Sequence, residues 1–138
     1  MSKHEAMVEY LKQYPGLRSF LYFNTATNIV GNISVQTIYS DEWEEQDITG
    51  HGTKRYDFAI IFMTPQDSSG TSNLNVAQMD SVQAFMEWIR EQDKQKNFPD
   101  FGESEVYSIE NLQNMPNLAT ANESVAKYMF QCRVRYYE

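Results

Sequence analysis

The sequence predicts an α+β domain: a mainly antiparallel sheet of about four strands, with helices 3–14 and 76–96 packed on one face. Three observations predict it. Two segments repeat apolar residues at helical spacing. Segments 33–39, 53–64 and 124–137 alternate with the period of two expected of strands, and 105–111 reads as a shorter one. The order helix, strand, strand, helix, strand, strand is that of an α+β chain. No internal repeat, low-complexity tract or linker interrupts the 138 residues, so 1–138 is read as one domain. A domain of this length buries a core without disulfide staples or a structural metal.

Each element has its own warrant. Ser2-Lys-His-Glu5 is the S-x-x-E pattern of a capping box. Met7, Tyr10, Leu11 and Tyr14 follow on one helical face, and Pro15-Gly16 stops the helix. Leu17 to Phe23 reads as a short strand or an extended approach, and 24–32 as irregular. Ile33, Val35, Thr37 and Tyr39 share one side of the next strand. In "TKRYDFAIIFMT" (53–64), Tyr56, Phe58, Ile60 and Phe62 take one face, and Arg55, Asp57, Ala59, Ile61 and Met63 the other. Segments 33–39 and 53–64 form an antiparallel pair, with the acidic residues between them as the connection.

Residues 66–75 read as a loop, with Asn73 or Asn75 as N-cap of the second helix. Met79, Val82, Phe85, Met86 and Ile89 are that helix's apolar stripe. Residues 114–123 read as a polar loop. The last strand places Ala126, Tyr128, Phe130, Cys132, Val134 and Tyr136 on a core face, opposite Lys127, Met129, Gln131, Arg133 and Arg135. The outer sheet face is partly apolar through Ile61, Met63 and Met129, which suggests that something else covers it.

Composition excludes several classes of function. At 41% hydrophobic residues the chain is too apolar to be disordered. The longest apolar run, Phe58 to Met63, falls far short of the roughly 20 residues that span a bilayer. No signal peptide is visible, and the single cysteine suits a reducing compartment, so synthesis in a cytoplasm and no membrane partner are expected. Formal net charge is -8, and the segment 41–47 supplies five of those negative charges. Such a chain binds nucleic acid poorly, because phosphate attraction dominates that affinity; no sequence-specific nucleic-acid partner is expected.

The candidate site residues are charged, with one tryptophan among them. Asp41, Glu42, Trp43, Glu44, Glu45 and Asp47 lie in "SDEWEEQDITGHG" (40–52). The stretch lacks the D-x-[DN]-x-[DN]-G ladder of a calcium loop. Five crowded carboxylates also do not provide the one desolvated acid and one ionised partner that hydrolysis needs. Trp43 points instead to a contact loop, since tryptophan is enriched at interfaces. His4 and His51 form no metal-spaced pair with each other or with Cys132. His51 between two glycines reads as a turn residue, and Cys132 as a buried structural thiol. There is no Walker loop, G-x-G-x-x-G or G-x-S-x-G, so no catalytic residue, cofactor or metal is assigned and the chain is not read as an enzyme. Arg55, Arg133 and Arg135, with Lys54 and Lys127, form a basic patch on the outer sheet face. An acidic surface apart from a basic one suits head-to-tail pairing of copies, and such a contact makes a ring where it closes.

Four stretches carry a family resemblance: "GTKRYDFAIIFMT", "MDSVQAFMEWI", "EVYSIENLQNMPN" and "AKYMFQCRVRYYE". With the capped first helix and the long hairpin, the chain resembles the tail terminator proteins of long-tailed phages and prophages, often labelled minor capsid or tail-completion proteins. The resemblance implies a structural protein of the virion tail, made in the bacterial host cytoplasm. It would form a hexameric ring that ends the tail tube and prepares head–tail joining. Its partners would be copies of itself, the tail tube protein and a head–tail connector protein. Another head–tail connector component fits the same layout. The competing expectation is a small α+β ligand-binding domain or enzyme, its pocket lined by tyrosines and Trp88 between helix 76–96 and the sheet.

Overall fold

In the computed structural model, β4 (Gly52–Pro65) and β7 (Val125–Tyr137) pair antiparallel from Thr53↔Tyr137 to Pro65↔Val125. This ribbon is the axis of the fold. Its register places Phe58 opposite Cys132, Ile60 opposite Phe130 and Phe62 opposite Tyr128. All six side chains are buried. A slip of one residue would turn Arg133 and Arg135 inward, so the hydrophobic pattern fixes the pairing. The description covers residues 2–15, 21–24, 32–38, 41–65, 74–121 and 125–138.

Each edge of the ribbon carries two strands end to end. On β4 they are β2 (Ile33–Thr37) and β3 (Trp43–Gln46); on β7 they are β5 (Glu105–Asn111) and β6 (Asn117–Ala121). All four pairings are antiparallel. β1 (Leu21–Phe23) adds to β2 in parallel. The sheet is therefore mixed and seven-stranded, not a sheet of about four strands. The strands missing from the sequence reading are short. β3, "WEEQ", has two charged residues in four and lies in the acidic run, and β6, "NLATA", carries no apolar–polar alternation and falls inside the expected polar loop.

Helix α1 (Lys3–Leu11) begins as expected: the Ser2 hydroxyl accepts the Glu5 N–H at 3.1 Å. It ends three residues before Tyr14. Gln13 N–H donates to Tyr10 O and Tyr14 N–H to Leu11 O, a tightened last turn. Pro15 disfavours a helical conformation at the residue before it. Helix α2 (Leu74–Gln95) starts two residues earlier and stops one residue earlier than expected. Asn75 lies inside it and is not its cap; Asn73 and most of the expected 66–75 loop are outside the described residues. Lys96 (φ +57°) takes the left-handed position after the helix, with Lys96 N–H bonded to Asp93 O and Asn97 N–H to Gln92 O. These are the two bonds of a Schellman ending.

Both helices contribute to one core cluster with the Phe58–Ile60–Phe62 face of the sheet. Phe85 is its centre, with ring centroids of Tyr14, Phe62, Trp88 and Phe130 4.3–5.9 Å away. Tyr10 reaches through the cluster to donate its hydroxyl to Asn97 O at 2.8 Å. The other face of the sheet departs from expectation. Ile61 and Met63 are only 7% and 4% exposed in the single chain, so those positions need no partner to cover them.

Burial makes this core sensitive to alkali. It pushes the Cys132 thiol well up, with Glu110 adding to the shift. It raises Tyr56 and Tyr136 to about 12 and lifts Tyr10 above its ordinary range. For each group the folded state holds its proton more tightly than the unfolded chain does. The stability they contribute is whole below the ordinary thiol range and is lost as pH rises toward the folded values. Urea midpoints are expected to fall steadily above about pH 9 and more steeply above about pH 10. Equal midpoints at neutral pH and in that alkaline range would contradict this.

Candidate functional site

The acidic segment is built into the sheet. Its tip is a turn that Asp47 organises: the carboxylate accepts the Thr49 N–H at 2.9 Å, the Thr49 hydroxyl at 2.6 Å and the His51 N–H at 3.1 Å. Those bonds, the Thr49 hydroxyl foremost, hold the Asp47 carboxyl below its usual range. Gly50 supplies the left-handed turn residue (φ +88°). Gly52 then pairs with the last residue, Gly52 N–H to Glu138 O and Glu138 N–H to Gly52 O, both at 3.1 Å.

Trp43 is half-buried, and Lys54 Nζ lies 4.4 Å from its ring centroid. The same ammonium meets Glu42 at 3.1 Å and Glu138 at 3.7 Å. Lys54 shares the face of Tyr136, its register partner, rather than the outer face expected for it. Trp43 thus has an in-chain reason for its place: it is the aromatic half of a cation–π pair.

Glu44 is the extra residue where the β3 register shifts between Trp43 and Glu45. Its carboxylate accepts from Arg135 Nε at 2.9 and 3.0 Å, and lies 4.0 Å from Nη1 of both Arg55 and Arg133. Arg135 also donates to Glu110 at 2.5 Å. Arg133 grips Asp57 with two bonds, 2.8 and 3.0 Å, and the Asp57 side chain is only 4% exposed. Arg55 Nε donates to Asp41 O, and Arg55 N–H to Glu42 O. Each guanidinium of the Arg133–Arg135 pair is held more firmly protonated by these acids.

This arrangement corrects the expectation of separate acidic and basic surfaces. The bulge turns Glu44 onto the arginines, and β4–β7 pairing sets Arg55 beside Arg135 and Asp57 beside Arg133. Three arginines face three carboxylates from four adjacent strands, so charge is balanced within one chain. All five acidic residues of the segment are exposed, with Glu42 and Glu44 paired to cations and Asp47 used by its own turn.

Comparison with known protein families finds no family model that matches, and comparison with curated proteins finds no match.

The chemistry available to these groups is ion pairing. Cys132 is buried on the opposite face, and its raised thiol is a poor nucleophile. Among the described residues, no three His, Cys, Asp or Glu side chains are grouped to hold a metal ion. Among the described residues, no helix is long and apolar enough to cross a membrane. One contact escaped the sequence reading: His4 Nδ1 lies 2.7 Å from the Tyr56 hydroxyl. The two are 52 residues apart and no local pattern links them. A cavity of about 390 Å³ opens beside His4, lined by Glu5, Val8, Glu9 and Phe23. Trp88 packs within 5.6–5.7 Å of the Tyr10, Tyr14 and Phe85 rings.

Proposed function

We propose that this chain is a structural assembly protein: the tail terminator of a long-tailed phage or prophage. In this reading copies form a ring on the tail tube, end its growth and present a surface to the head–tail connector. The protein acts in the virion tail after synthesis in the host cytoplasm, without catalysis or a cofactor. The observation that carries the reading is the correspondence between the four resembling stretches and the frame of the fold. They fall on β4, α2, β5 and β7, the elements that hold the sheet and core together. Phe85 of α2 packs against Phe62 and Phe130 of the sheet, which favours this reading over a ligand pocket there.

Head-to-tail pairing through Arg133 and Arg135 is not kept as the mechanism, because their partners lie within the chain. Ring association is therefore expected to be insensitive to salt. Light scattering on a sizing column tests this. The expected result at high concentration is a mass near six times that of one chain, at low and at high salt alike. A ring that dissociates in salt would restore intermolecular charge pairing. A compact monomer stabilised by small molecules in a thermal-shift screen would favour the ligand-binding alternative.

A further inference from the structure

Three guanidiniums converge on one carboxylate. Glu44 accepts from Arg135 Nε at 2.9 and 3.0 Å and lies 4.0 Å from Nη1 of both Arg55 and Arg133. The three arginines are not equally provided for. Asp57 holds Arg133 with two bonds, and Glu110 holds Arg135. Among the described residues, Glu44 is the one carboxylate within 4.0 Å of Arg55, whose other side-chain bond goes to a backbone oxygen, Asp41 O. Arg55 and Arg135 are also register partners. Like charges directly opposite across two strands are destabilising, so an anion belongs between them.

Glu44 is a replaceable anion. It is the extra residue of the β3 bulge, its side chain is 27% exposed, and an ion pair so open to water contributes little. The three arginine side chains are 20–23% exposed and can be reached from solvent. A cavity of about 220 Å³, lined by Thr37, Ile38, Arg55 and Asp57 among others, leaves room beside Arg55. Without Glu44, three guanidiniums face two carboxylates, a local excess of positive charge.

We propose that the Arg55–Arg133–Arg135 cluster is a binding site for a phosphate dianion, free or as the end of a small phosphate monoester, and that Glu44 occupies it in the ligand-free chain. The Glu44 carboxylate stands where the ligand's oxygens bind. A phosphate carries more charge and more acceptor oxygens than a carboxylate, and guanidinium forks match it with paired bonds. Positive charge confined to this cluster, in a chain of net charge -8, suits a small anion and not a polyanion. Such a site is independent of the assembly reading.

Isothermal titration at about pH 7.5, above the second ionisation of a phosphate ester, tests it. The titrants are sodium phosphate, glycerol phosphate and, as control, sodium chloride at equal ionic strength. Phosphate is expected to bind the wild type, and to bind Glu44→Ala at least about tenfold more tightly. Adding Arg55→Met to Glu44→Ala is expected to weaken binding at least about tenfold, while the Asp57 and Glu110 pairs stay in place. Tighter binding of glycerol phosphate assigns the site to an ester, and tighter binding of phosphate to the free ion. If Glu44→Ala does not fold, Glu44→Gln, which keeps the side chain without its charge, takes its place with the same expectation. Phosphate heats no larger than those of chloride in both proteins overturn the proposal. Binding confined to the Glu44 variant also overturns it, since Glu44 is then a permanent part of the fold, and so does binding that survives Arg55→Met.

Discussion

Asp57→Ala is expected to lower the stability of the chain by about 3–5 kcal/mol, the usual cost of stranding one partner of a buried ion pair. Asp57 is the most enclosed charge in the network, and both its oxygens are used by Arg133. Removing it leaves a guanidinium whose side chain is 20% exposed and whose remaining acid, Glu44, lies at 4.0 Å. Arg133→Met strands the carboxylate instead and is expected to cost a similar amount. The double variant should cost clearly less than the sum, because neither group is then left alone. Urea unfolding of the four proteins gives the coupling. Additive losses would mean that the pair contributes nothing beyond its separate packing.

Gly52→Val is the second large effect, with an expected loss of at least about 2 kcal/mol. A Cβ at Gly52 would sit 2.1 Å from Glu45 O and 2.8 Å from Gln46 Cα, both backbone atoms of the opposite strand. The β3–β4 hairpin cannot close around it without moving, and the Gly52–Glu138 bond pair goes with it. Trp43 fluorescence reports the opening, since the ring leaves Lys54 for water. Gly50→Ala is the contrast: nothing lies near its Cβ, and only the left-handed backbone is strained, at about 1 kcal/mol. Equal effects at the two glycines would show that the close approach at Gly52 is not what constrains the hairpin.

These two positions also show what the sequence made legible. The long alternating strands were readable because thirteen register pairs impose one pattern on both partners. Ser2 capping and the α2 stripe were readable because their signals are local. Glu44 and Arg135 are 91 residues apart, and nothing in either neighbourhood announces the other. Short strands such as β3 and β6 owe their place to β4 and β7 rather than to their own periodicity. The candidate residues were identified as a charged set, but their partition into two surfaces failed. A bulge in β3 decides where Glu44 points, and a bulge leaves no mark in a run of acidic residues. Trp43 stands out in an acidic run, and its pairing with Lys54 appears only once β3 lies beside β4.

The most direct test of the assembly account is electron microscopy of the purified chain mixed with tail tubes assembled from a long-tailed phage tail tube protein. The account predicts a ring of this protein at one end of each tube and tubes that stop growing when it is added. Tubes that lengthen unchanged, with no added density at either end, would contradict it.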